Sequence, residues 1–79
     1  NTLLRLPKHI VKKLMWWSRD VERRGIDEVR KTPGFHDEPL KGNRHGQRSI
    51  RLSHAYRAIY VLNNQKDEVL VVEVNKHEY

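Results

Sequence analysis

The chain of 79 residues carries 16 lysines and arginines against 10 acids, a net charge of +6 with a sequence pI of about 10.0. That length allows one small domain, which buries roughly 60–65% of its unfolded surface and has little stability to spare. The absence of cysteine excludes a disulfide framework or a thiolate metal centre as a staple, so a binding partner is expected. Disorder throughout is excluded as well, because the apolar residues gather into periodic segments. No apolar run approaches the roughly 20 residues that a bilayer crossing requires, since Arg5, Lys8, Lys12 and Lys13 interrupt the most hydrophobic stretch. A soluble, cytoplasmic protein without a membrane partner is the expectation.

Residues 8–24 place Ile10, Leu14, Trp17 and Val21 at helical spacing, with Val11 and Met15 widening the stripe. Pro7 suits a first helical position and Gly25 a left-handed residue closing the helix. Trp16 and Trp17 are about 100° apart on a helix, so Trp17 belongs to the buried stripe and Trp16 to its margin. A short helical piece follows over residues 27–31, with acids early and bases late, and Thr32-Pro33-Gly34 ends it. Residues 35–47 read as an irregular loop marked by Pro39, Gly42, Asn43 and Gly46. Strand signals then take over at residues 48–53, 56–62 and 68–74, joined by short turns. The fold class is α+β: a small antiparallel sheet of three to four strands with a long and a short helix packed on one face. Residues 1–79 form a single domain.

Strand parity sorts the side chains into two faces. Closing the first turn around His54 sets Arg51 opposite Arg57, and closing the second around Gln65 sets Arg57 opposite Glu73. Ile50, Leu52, Tyr56, Ala58, Tyr60, Leu70 and Val72 then face the helix, while continued parity puts His77 on the face of Arg57. Like charges directly opposite each other are destabilising. Two readings explain the arginine pair: Glu73 neutralises it as a surface ion network, or the two guanidiniums clamp a phosphate. Five basic residues (Lys41, Arg44, Arg48, Arg51 and Arg57), two histidines and no acid occupy the stretch between Lys41 and Arg57, which favours an anionic partner, nucleic acid first.

His36-Asp37-Glu38 adds carboxylates and an imidazole from the long loop, without the spacing of a metal site, so no metal or other cofactor is expected. Asp37 reads as a helix-capping or loop hydrogen-bonding residue. A carboxylate, arginines and a histidine meeting on one face form the set that cuts an RNA phosphodiester. The base removes the 2′-hydroxyl proton, arginine neutralises the developing phosphorane charge, and an acid protonates the departing 5′-oxygen. At the carboxyl end His77 is a candidate acid, and Tyr79 can stack on a base or donate a hydrogen bond.

The run Glu38-Pro39-Leu40-Lys41-Gly42, leading through Arg44, Gly46 and Arg48 into Ile50-Arg51-Leu52 and then Tyr56-Arg57-Ala58-Ile59-Tyr60, resembles the RelE/ParE superfamily of bacterial toxin–antitoxin toxins, most closely its YoeB-like and HigB-like mRNA interferases. The resemblance covers residues 38–79. It implies a RelE-like fold and a ribosome-dependent mRNA endonuclease, inhibited by a cognate antitoxin. By motif position it implies that Glu38 is the base, Arg57 the phosphate-stabilising arginine, Arg51 a further basic contact, His77 the acid and Tyr79 the terminal tyrosine. The ending Lys76-His77-Glu78-Tyr79 departs from the family's His-Tyr ending, which makes His77 the loosest match. Lys41, Arg44, Arg48 and Arg51 make up the expected RNA-binding set. Family members normally begin with a strand and a helix, whereas this chain starts at Asn1, so the first strand is expected to be lacking and a sheet edge exposed.

The chief rival is a non-enzymatic toxin resembling ParE, which inhibits DNA gyrase and needs no acid or base. A simple nucleic-acid-binding module, with sheet arginines on phosphates, is the third class.

Overall fold

The computed structural model describes residues 6–63 and 68–76. Helix α1 (Lys8–Arg24) has the bounds its apolar spacing predicts. Pro7 stands one position earlier than expected, as the capping residue, and its carbonyl accepts from the Ile10 and Val11 amides at 3.0 and 3.2 Å. At the other end Gly25 adopts φ 84°, a backbone state that favours glycine, and its amide bonds to the Val21 carbonyl at 2.9 Å. Helix α2 (Ile26–Val29) begins at once, slightly earlier than residues 27–31 suggested. It stops at Val29 because the Lys31 and Thr32 amides close tighter turns onto the Glu28 and Val29 carbonyls.

The stretch expected to be irregular is more ordered than its composition suggests. It holds two single 3₁₀ turns, Pro33–Phe35 and Gly42–Arg44, and between them strand β1 (Glu38–Pro39). Strands β2 (Gln47–Arg51), β3 (Tyr56–Asn63) and β4 (Glu68–Lys76) follow. All four pair antiparallel in the order β1-β2-β3-β4, so the fold is α+β with a four-stranded sheet. Pro39 is tolerated because β1 lies at an edge of the described sheet, where a missing donor breaks no interior ladder.

Registers agree with the parity argument at one hairpin and depart from it at the other. Arg51 lies opposite Arg57 as expected. Between β3 and β4 the pairing starts at Asn63 opposite Glu68 and shifts by one residue between Ile59 and Tyr60. Arg57 therefore lies opposite Asn75, and Glu73 opposite Ile59, which corrects the expected Arg57–Glu73 pair. Leu70, expected against the helix, instead pairs with Val61, while Val69 and Val71 take the helix-facing positions opposite Leu62 and Tyr60. Val72 is the extra residue of the bulge and is half exposed.

The core lies between α1 and one face of the sheet. Ile10 and Trp17 of α1 meet Val29, Phe35, Ile50, Leu52, Ala58, Tyr60 and Val74, all buried. The Trp17 and Tyr60 rings pack tilted at 51° with centroids 5.0 Å apart. Leu14 and Val21 flank this core, whereas Met15, expected to widen the stripe, points away and is exposed. Trp16 is 59% exposed, at the margin where its spacing puts it. No helix among the described residues is long and apolar enough to cross a membrane.

Candidate active site on the outer face of the sheet

The face of the sheet turned away from α1 carries most of the described site residues. Cross-strand partners share a face, so the pairs Glu38–Ser49, Ser49–Ile59 and Ile59–Glu73 define one row across all four strands. The next row, toward the β2–β3 turn, holds Arg51, Arg57 and Asn75. Arg57 donates to the Ser49 hydroxyl at 3.4 Å, a long contact that lays its guanidinium beside the position opposite Glu38. Among the described residues no carboxylate pairs with Arg51 or Arg57. Two adjacent guanidiniums with no such partner make this part of the face strongly positive.

What aims Glu38 outward is the residue before it. The Asp37 side chain is 1% exposed and accepts from Arg48 Nε at 2.6 Å and from the Tyr60 hydroxyl. Both donors lie on the helix-facing side, since Arg48 is the cross-strand partner of Tyr60. His36, at φ 47° and ψ 53°, supplies the left-handed turn that swings Asp37 inward. Alternation then sends Glu38 to the opposite face, where it is exposed. Burial alone disfavours the charge on Arg48, but the hydrogen bond and attraction of Asp37 outweigh it and raise its pKa above the ordinary arginine value. Burial, reinforced by donation to Asp37, pushes the Tyr60 hydroxyl up to about 12.

The structure thus separates Arg48 from the other basic residues. Expected among phosphate contacts, it lies across the sheet from Arg51 and Arg57 and braces Asp37. Lys41 is exposed at the start of the 3₁₀ turn Gly42–Arg44. Arg44, the last residue of that turn, reaches over the outer face, donating from Nε to Gln47 Oε1 at 2.9 Å and from its terminal nitrogen to Glu73. Asn75 donates to the other Glu73 oxygen. Held first by Arg44 and then by Asn75, the Glu73 carboxyl titrates below the ordinary glutamate value. His77 and Tyr79 lie outside the described residues.

Three participants escaped sequence reasoning. Ser49 is 1% exposed and receives Arg57, but a lone serine in a strand carries no signal. The inward turn of Asp37 left no signal, because the two-residue strand that follows it is too short to show alternation. The reach of Arg44 to Glu73 depends on the bulge in β4. Among the described residues no three carboxylate or imidazole groups gather closely enough to hold a metal ion. A groove of about 570 Å³ between the end of α1, α2 and the β3–β4 hairpin, floored by Trp17, Val21, Ile26, Leu62 and Val69, contains none of the expected site residues.

Comparison with known proteins gives no matching family model and no matching curated protein. Solved structures do match. A YoeB/ParE toxin from Agrobacterium tumefaciens superposes with a TM-score of 0.69 at 24% identity, over 95% of this chain and 81% of that one. A YoeB dimer from Staphylococcus aureus superposes with a TM-score of 0.67 at 23% identity, over 99% and 82%. The fold of this chain is that of the YoeB/ParE toxins, as the motif residues from Glu38 onward imply.

Proposed function

We propose that this chain is the toxin of a toxin–antitoxin pair and acts as a ribosome-dependent mRNA endonuclease. The observation that carries the reading is the row of Glu38 and Ser49 beside Arg57 and Arg51. It sets one exposed carboxylate and two guanidiniums, which pair with no carboxylate among the described residues, on adjacent strands of one open face. The likeness of fold to YoeB/ParE toxins supports the same assignment. In this reading the Glu38 carboxylate takes the proton of a 2′-hydroxyl, and the freed oxygen attacks the adjacent phosphorus. Arg57 and Arg51 balance the charge that grows on the phosphorane oxygens. The bond to the 5′-oxygen breaks, and His77, assigned from sequence alone, returns a proton to it, leaving a cyclic phosphate and a 5′-hydroxyl. Tyr79 stacks against a base or steadies the leaving group, and Lys41 and Arg44 hold flanking phosphates. A cognate antitoxin is the inhibiting partner.

The test is to map mRNA 5′ ends in cells expressing the protein and, in parallel, Glu38→Gln, Arg57→Gln and His77→Gln. Internal cuts at regular codon positions are expected, reduced about 100-fold or more in each variant. Full cleavage by all three variants would refute the catalytic assignment. Growth arrest with damaged DNA and intact mRNA would select the gyrase-directed alternative.

A further inference from the structure

Ile59 is an anomaly on the outer face. It points away from the helix-side core, being the partner of Ser49 and Glu73, yet it is only 6% exposed. Arg44 leaves the chain just before β2 and binds Glu73 on β4, so its side chain must cross β3, and the β3 residue beside Glu73 is Ile59. The pair Arg44–Glu73 is therefore a strap lying over the middle of the outer face, fastened on one side by Gln47 and on the other by Asn75.

The strap lies next to the arginines. Arg57 is the diagonal neighbour of Glu73, two positions along β3 from Ile59, a separation of about 7–8 Å. A strand of RNA crossing Arg51 and Arg57 thus meets Arg44 with a neighbouring phosphate, and meets the Glu73 carboxylate in the same place. A carboxylate held by a guanidinium and an amide has the charge and acceptor geometry of a phosphate with two liganded oxygens.

We propose that Glu73 is a built-in phosphate substitute, closing an Arg44 subsite on the outer face until an RNA phosphate displaces it. This deepens the endonuclease reading and rests on it. The low titration of the Glu73 carboxyl agrees, since it keeps the substitute anionic well below neutral pH. The exchange is selective: a ligand without a second phosphate cannot open the strap, so a mononucleotide gains nothing from Arg44 while an oligonucleotide does.

The experiment measures binding of a short single-stranded RNA, made uncleavable by 2′-O-methylation, across a range of salt, with thermal melting of each variant as a folding control. Glu73→Gln removes the competing charge and is expected to bind about two- to fivefold tighter with an unchanged salt slope. Arg44→Gln is expected to bind more weakly and to lose about 0.7 from the slope, the contribution of one single-strand phosphate. If Arg44 and Glu73 instead stay paired when RNA is bound, Glu73→Gln binds equally or more weakly and Arg44→Gln keeps the parent slope. Either result overturns the substitute while leaving the RNA site standing. Failure of the parent protein to bind the oligonucleotide at all overturns both.

Discussion

Replacing Asp37 by alanine should destabilise the protein far more than a substitution in a surface loop ordinarily does. Its carboxylate is 1% exposed and holds Arg48 at 2.6 Å together with the Tyr60 hydroxyl, which is itself in a fully buried residue. Deleting one partner of a buried ion pair costs about 3–5 kcal/mol, chiefly because the other charge is left unpaired. The Arg48 side chain keeps 23% of its surface in water, which recovers part of its hydration and places the expected loss near the lower end, about 3 kcal/mol. A domain of 79 residues has about 4–12 kcal/mol in total, so much of the stability is at stake. Urea unfolding followed by tryptophan fluorescence reads the change, because Trp17 packs on Tyr60. The double replacement Asp37→Leu with Arg48→Met removes both charges and should recover most of the loss. An Asp37→Ala variant within about 1 kcal/mol of the parent would refute the reasoning, as would a double variant no better than the single one.

Alkaline stability tests the same cluster. The Tyr60 hydroxyl is raised from the ordinary value of 10.0 to about 12, so the native state favours its protonated form. Its contribution is complete below pH 10 and is lost as pH rises toward 12, by up to about 3 kcal/mol. Tyr60→Phe should flatten that part of the urea-midpoint profile, and equal slopes in both proteins would reject the link. A third expectation concerns the arginine pair: Arg51→Thr relieves like charges directly opposite each other and should stabilise the fold by about 0.2–1 kcal/mol. The same variant should weaken RNA binding and lower its salt slope by about 0.7; a gain in stability with unchanged binding would place the RNA elsewhere.

Local signals proved sufficient where one element's own pattern decides its structure. The 17 residues of α1 carry their apolar stripe within themselves and are flanked by Pro7 and Gly25, so the span was legible, although Pro7 caps the helix instead of opening it. Met15 misled because the apolar spacing allows a wide stripe, whereas the sheet beneath α1 buries only the line through Ile10 and Trp17, with Leu14 and Val21 beside it. Strand β1 was illegible for a different reason. Two residues, one of them proline, have no alternation to detect, and their strand character comes from the partner β2 and from the anchoring of Asp37. Arg48 shows the cost of reading charge without face. In the run of cations it looks like its neighbours, yet its position opposite Tyr60 sends it to the side away from Arg51 and Arg57.

The β3–β4 hairpin carries the sharper lesson, because two departures from the symmetric expectation nearly cancel. Pairing starts at Asn63 opposite Glu68, one step off a closure centred on Gln65, and had it continued Glu73 would lie opposite Ala58, facing the helix. The bulge at Val72 adds a second step and returns Glu73 and Asn75 to the outer face. The face of Glu73 therefore agrees with simple parity, whereas its partner does not: it lies beside Ile59 and leaves Arg57 opposite an uncharged asparagine. That displacement leaves the two arginines without a carboxylate among the described residues and puts Glu73 within reach of Arg44. Deleting Val72 should therefore remove the bulge without moving the row: in the starting register the residue after Val71 lies opposite Ile59, and with Val72 gone that residue is Glu73. The Arg44–Glu73 pair, and with it the salt-slope difference between the parent and Arg44→Gln backgrounds, is expected to survive the deletion. Loss of that difference in a deletion variant that still folds would show that the bulge itself, and not the pairing of Glu73 with Ile59, sets the charge pattern of this face.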